Sequence, residues 1–141
     1  MLNINDHKKL NEPKKVLLTE DDPMALFIHT KYLEKMGFEV DCACDGKQAY
    51  EKYLNNYNLY RLIMLDGSMP EMDGVELAKR IRLHEKEFGL KRKLLILISA
   101  HLRQQIAIWC QEADIDGFEV KPVSPEGLEF LIVHCLSKIE S

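Results

Sequence analysis

No uninterrupted apolar run in the 141 residues is longer than five, as in Leu94-Leu95-Ile96-Leu97-Ile98. A membrane-spanning helix needs about 20 such residues, so none is expected. Residues 1–15 carry no apolar core of the kind a secretory signal has. There is no glycine- or serine-rich linker, no internal repeat and no low-complexity tract. Positive charge is in deficit: 19 Lys and Arg stand against 23 Asp and Glu, a net charge of -4. That is a poor match for direct nucleic-acid binding, which needs a basic field. The four cysteines, Cys42, Cys44, Cys110 and Cys135, form no CxxC pair and no zinc-ligand spacing. Each lies in an apolar stretch, so all four are expected to be buried free thiols of a cytoplasmic protein.

What remains is the composition of one ordinary globular domain, 46% hydrophobic and 30% charged. The length leaves no room for a sensor, a catalytic domain and an output domain together. A polar arm is expected over 1–13, a folded domain over 14–138 and a short tail over 139–141. The arm with Lys14 and Lys15 holds four lysines against Asp6 and Glu12, which places the acidic excess on the rest of the chain.

Short apolar runs alternate with amphipathic segments. Strands are predicted over Val16–Thr19, Phe38–Ala43, Leu62–Leu65, Leu94–Ile98 and Phe118–Val120. Each is followed by a helical pattern. Asp22-Pro23 and Ser124-Pro125 pair a capping side chain with proline at the first helical position. Gly37 and Gly89 mark helix ends. Five strand–helix units in strict alternation imply an α/β fold, a doubly wound, five-stranded parallel sheet covered by helices on both faces. Ligands in such folds bind beyond the carboxyl ends of the strands.

The residues at those ends are Glu20-Asp21-Asp22, Asp66, Ser99 and Lys121. Neighbouring carboxylates repel one another unless a cation lies between them. Oxygen ligands suit a hard divalent ion, Mg²⁺ or Mn²⁺. An ammonium and a hydroxyl beside that ion can bind the oxygens of a transferring phosphoryl group. Acyl phosphates form on carboxylates, and Asp66, alone at its strand end, is the expected nucleophile. Glu20 and Asp21 are expected to hold the metal. Asp22 is explained as the helix cap.

The chain resembles the receiver domains of two-component response regulators, particularly those of hybrid histidine kinases, over roughly residues 14 to 138. The resemblance rests on Glu20-Asp21 after Val16-Leu17-Leu18-Thr19, and on Leu65-Asp66-Gly67-Ser68-Met69-Pro70-Glu71-Met72-Asp73-Gly74. It continues in Ile98-Ser99-Ala100 and Phe118-Glu119-Val120-Lys121-Pro122. It implies the flavodoxin-like strand order 2-1-3-4-5. It also implies phosphorylation of Asp66 by a histidine kinase or histidine phosphotransfer protein. Asp21, Asp66 and the Ser68 backbone carbonyl would ligate Mg²⁺ directly, and Glu20 through water. Ser99 would be the switch hydroxyl, Phe118 the switch aromatic and Lys121 the site lysine, with a cis Lys121-Pro122 bond. The fourth helix, fifth strand and fifth helix would form the face that signals to a downstream protein target or fused domain. The domain would catalyse only its own phosphoryl transfer and dephosphorylation, with no turnover of another substrate.

Ser99 stands where threonine is commoner, Phe118 where tyrosine is frequent and Gly67 where an aliphatic residue is usual. The connection from His84 to Lys93 is long, as in hybrid-kinase receivers. A haloacid-dehalogenase-type phosphatase would want an Asp where Ser68 stands. A flavodoxin would offer FMN phosphate something other than Glu20-Asp21-Asp22. A receiver-like interaction module without functional phosphorylation is the remaining alternative. His101 is expected to be an exposed histidine near the site mouth, and His29, His84 and His134 structural or solvated. Trp109 and Cys110 are expected to face the core, and Tyr50, Tyr53, Tyr57 and Tyr60 to pack over the sheet edge. Lys79 to Lys93, seven basic residues against two acidic, reads as a solvated face.

Overall fold

Side-chain caps set where the helices begin. Asp22 accepts the backbone N–H groups of Met24 and Ala25, Asp45 that of Gln48, and Asp73 that of Glu76. Each satisfies a donor that the first turn leaves unpaired. Gly89 ends its helix in the left-handed region at φ 61°, which glycine adopts without a steric cost.

The computed structural model describes residues 14–66 and 72–140. The elements are β1 (Lys15–Thr19), α1 (Pro23–Lys35), β2 (Glu39–Ala43), α2 (Gly46–Asn56), β3 (Tyr60–Asp66), α3 (Gly74–Phe88), β4 (Leu94–Ser99), α4 (Arg103–Ala113), β5 (Gly117–Val120) and α5 (Pro125–Glu140). A 3-10 turn, Tyr57–Leu59, precedes β3. All strand pairs are parallel, and the order is β2-β1-β3-β4-β5. The expected doubly wound α/β architecture is therefore present. The expected arm lies outside the described residues, and the backbone of residues 139 and 140, expected in the tail, continues α5. Among the described residues no helix is long and apolar enough to cross a membrane.

Alternate strand residues supply two cores, as the two-residue strand period requires. Leu17, Ile63, Leu65, Leu95 and Leu97 pack under α2, α3 and α4 with Tyr53, Leu77, Ile81 and Ile106. Val16, Leu18, Leu62, Met64, Leu94 and Ile96 pack under α1 and α5 with Leu33, Leu128 and Ile132. Every residue of β3 and β4 is buried, whereas the edge strands β2 and β5 are mostly half-exposed.

That edge position corrects the cysteine expectation. Cys110 and Cys135 are buried, but Cys42 on β2 is only partly covered and Cys44, just past its end, is exposed. The third strand also starts two residues early. Tyr60 enters the core there and donates its hydroxyl to Asp41 Oδ2 at 2.8 Å. Of its two expected roles His84 takes the structural one: its Nδ1 lies 2.9 Å from the Tyr53 hydroxyl, between α2 and α3.

Candidate phosphoacceptor and metal site

The carboxyl ends of β1, β3, β4 and β5 meet at one rim because parallel strands all point the same way. Glu20 follows β1, Asp66 ends β3, Ser99 ends β4 and Lys121 follows β5. Glu20, Asp66 and Ser99 are each at most 3% exposed, whereas Asp21 faces solvent. One carboxylate oxygen from each of Glu20, Asp21 and Asp66 falls within 4.8 Å of the others. The Lys121 ammonium lies 3.4 Å from Asp66 Oδ2 and 3.5 Å from Glu20 Oε1. The Lys121-Pro122 bond is cis, and the Lys121 N–H donates to the Ser99 carbonyl at 2.8 Å, tying β5 to the end of β4.

The backbone around Asp66 is fixed from two sides. Its N–H donates to the Thr19 hydroxyl at 3.1 Å. Gly74 presses against the Asp66 carbonyl so closely that a Cβ there would collide with it, so only glycine lets α3 begin against β3.

Burial, followed by the hydrogen bond and charge of Asp66, pushes the Glu20 carboxyl up to about 7, against the opposing pull of Lys121. His29, on α1, is buried with its Nδ1 4.0 Å from Glu20 Oε1. Burial and then the Lys121 charge hold its imidazole below the ordinary histidine range. Among the described residues, one ammonium among three carboxylates leaves the site short of positive charge. Three hard oxygen donors around that deficit fit a hard divalent cation.

The structure places Glu20, Asp21, Asp66, Ser99 and Lys121 at one strand-end rim. Ser68 lies outside the described residues. Phe118 sits on β5, half-buried, with the Arg103 guanidinium 5.4 Å from its ring centroid. Two neighbours go beyond the sequence expectations. Thr19 read as a plain strand end and His29 as a structural or solvated helix residue. His101 is exposed as expected, but its Nδ1 lies 2.7 Å from Ser99 Oγ and its ring meets Trp109 edge-on at 4.8 Å.

Residues 16–132 match the family model of the response regulator receiver domain. The chain belongs to this family. It is a receiver domain of two-component signalling. Among curated proteins it is 33% identical over 119 residues to hybrid signal transduction histidine kinase L of Dictyostelium discoideum, covering 84% of this chain and 7% of the kinase. It is 30% identical over 118 residues to the peroxide stress-activated histidine kinase mak1 of Schizosaccharomyces pombe, covering 83% of this chain and again 7% of the kinase. The receiver thus spans only a small part of either relative. Among solved structures, CheY in the CheX-CheY-BeF3-Mg complex of Borrelia burgdorferi superposes with a TM-score of 0.80 at 28% identity, covering 89% of this chain and 90% of that one. A receiver domain protein of Clostridium thermocellum shares the fold, with a TM-score of 0.78 at 21% identity over 89% of this chain and 96% of its own.

Proposed function

We propose that this receiver takes a phosphoryl group onto Asp66 from a phosphohistidine, borne by a histidine kinase or a histidine phosphotransfer protein. The observation that carries this is the Lys121 ammonium lying within 3.5 Å of both Asp66 and Glu20, inside a three-carboxylate cluster. In the transfer, an Asp66 oxygen forms the new P–O bond while the donor's P–N bond breaks. The imidazole leaves with that electron pair. Lys121 faces the phosphoryl oxygens and offsets their charge.

Glu20, Asp21, Asp66 and the Ser68 carbonyl would hold Mg²⁺ or Mn²⁺, whose role is to neutralise charge at the transferring group. The Ser99 hydroxyl then donates to a phosphoryl oxygen, and the Phe118 ring moves with it. The α4-β5-α5 face passes the change to a downstream protein or fused domain. The proposal is of a cytoplasmic signalling domain, centred on residues 14–138, that turns over no substrate beyond its own phosphoaspartate.

Incubation with acetyl phosphate and Mg²⁺, read by intact-protein mass spectrometry, tests the reading. One added phosphoryl group is expected, absent in Asp66→Ala and absent with EDTA. No mass gain in the wild type would leave a receiver-like interaction module without functional phosphorylation.

A further inference from the structure

Ser99 is 1% exposed, yet its hydroxyl already has two partners before any phosphoryl group arrives. Oγ accepts the His101 backbone N–H at 3.2 Å and lies 2.7 Å from His101 Nδ1. A hydroxyl has one proton to donate. The imidazole is in turn in edge-on contact with Trp109, a partly buried ring packed against the core under α2, α3 and α4.

We propose that His101 is a positioning residue: its Nδ1 accepts the Ser99 hydroxyl proton and so keeps that proton from the phosphoryl oxygen at Asp66. Switching then requires Ser99 to exchange one acceptor for another, with no change in the number of its hydrogen bonds. His101 thereby sets how readily the receiver leaves its resting state, without touching the phosphoryl group. This inference rests on the phosphoacceptor reading above.

The test uses His101→Phe, which keeps a ring against Trp109 and removes Nδ1, and His101→Ala, which removes both contacts. Uptake of phosphoryl from acetyl phosphate with Mg²⁺ is followed in each. Both variants are expected to be phosphorylated about fivefold faster than wild type, the factor carried by one net hydrogen bond. In a Ser99→Ala background the same substitutions are expected to change nothing, because the competing proton is gone. A residue acting only on water access or on folding would shift both backgrounds alike, and that result overturns the proposal. So do equal rates in wild type and His101→Phe. The unphosphorylated protein gives an independent readout by ¹⁵N NMR. His101 Nδ1 is expected to carry no proton and to shift on Ser99→Ala; a protonated Nδ1 contradicts the assignment. If wild type itself gains no phosphoryl group, the phosphoacceptor reading fails and takes the role of His101 with it. If wild type is phosphorylated and His101→Phe matches it, only the role of His101 fails.

Discussion

Thr19 anchors Asp66. The Thr19 hydroxyl donates to the Met64 carbonyl at 2.8 Å and accepts the Asp66 N–H at 3.1 Å, so one side chain of β1 fastens the end of β3. All three groups are buried, and neither backbone group has water to turn to. Thr19→Val keeps the shape and removes both bonds. Stranding buried polar groups costs about 1–3 kcal/mol each. The variant is expected to lose stability on that scale, read as a lower urea midpoint, and to be phosphorylated more slowly because the Thr19 hold on Asp66 is gone. Thr19→Ser, which restores the hydroxyl, should recover most of the rate.

Glu20 makes the metal-free protein pH-sensitive. Its carboxyl is pushed from 4.5 up to about 7 by burial and by Asp66. The folded state therefore holds a proton that the unfolded chain has released between those values. Stability is then greatest below about pH 4.5 as far as this group is concerned, and falls as pH rises through 7. Urea midpoints measured in EDTA across that range should decline, and Glu20→Gln should flatten the decline. Because a proton and a divalent cation compete for the same oxygens, Mg²⁺ affinity should rise with pH over the same interval.

Two arginines at the far end of the sheet should differ sharply. The Arg82 side chain is 11% exposed and donates to the Asp114 and Lys93 carbonyls, Glu85 Oε1 and Asp116 Oδ2, all within 2.9 Å. Glu85 and Asp116 also accept the backbone N–H groups of Lys93 and Leu95, so the cluster closes the α3-to-β4 connection onto the turn before β5. Arg82→Leu leaves the buried Glu85 carboxylate without this partner and should cost about 3 kcal/mol or more. Arg92 pairs with Asp114 and Asp116 from a side chain 39% exposed. Solvent screens that pairing, and Arg92→Ala should cost about 1 kcal/mol or less. Equal losses for the two variants in urea unfolding would contradict this ranking.

Some of this could be read along the chain. Proline after Asp22, the apolar runs and the left-handed glycine at 89 act within a few residues, so they mark the same boundaries in a linear reading as in the folded protein. Residues that directly follow apolar runs gather at one rim in any parallel sheet, which is why Glu20, Asp21, Asp66, Ser99 and Lys121 are legible together. The early start of β3 at Tyr60 is not. Tyr60, between Leu59 and Arg61, lies outside the apolar run, and its buried hydroxyl finds its acceptor on Asp41 of the edge strand β2.

By itself, then, the sequence determined the alternation of strands and helices, their caps, and the chemistry at the strand ends. Tertiary structure alone decided the neighbours of those chemical groups. The seating of His29 against Glu20 depends on which turn of α1 faces the sheet. The grip of Thr19 on Asp66 spans 47 residues and depends on the parallel register of β1 with β3. The Arg82 cluster gathers residues from 82 to 116 through the placement of α3 beside β4. Even the Ser99–His101 pair, two residues apart, has a partner from another element: the Trp109 ring of α4 meets the imidazole edge-on. Local propensity acts over one helical turn, whereas each of these contacts is set by how separate elements dock.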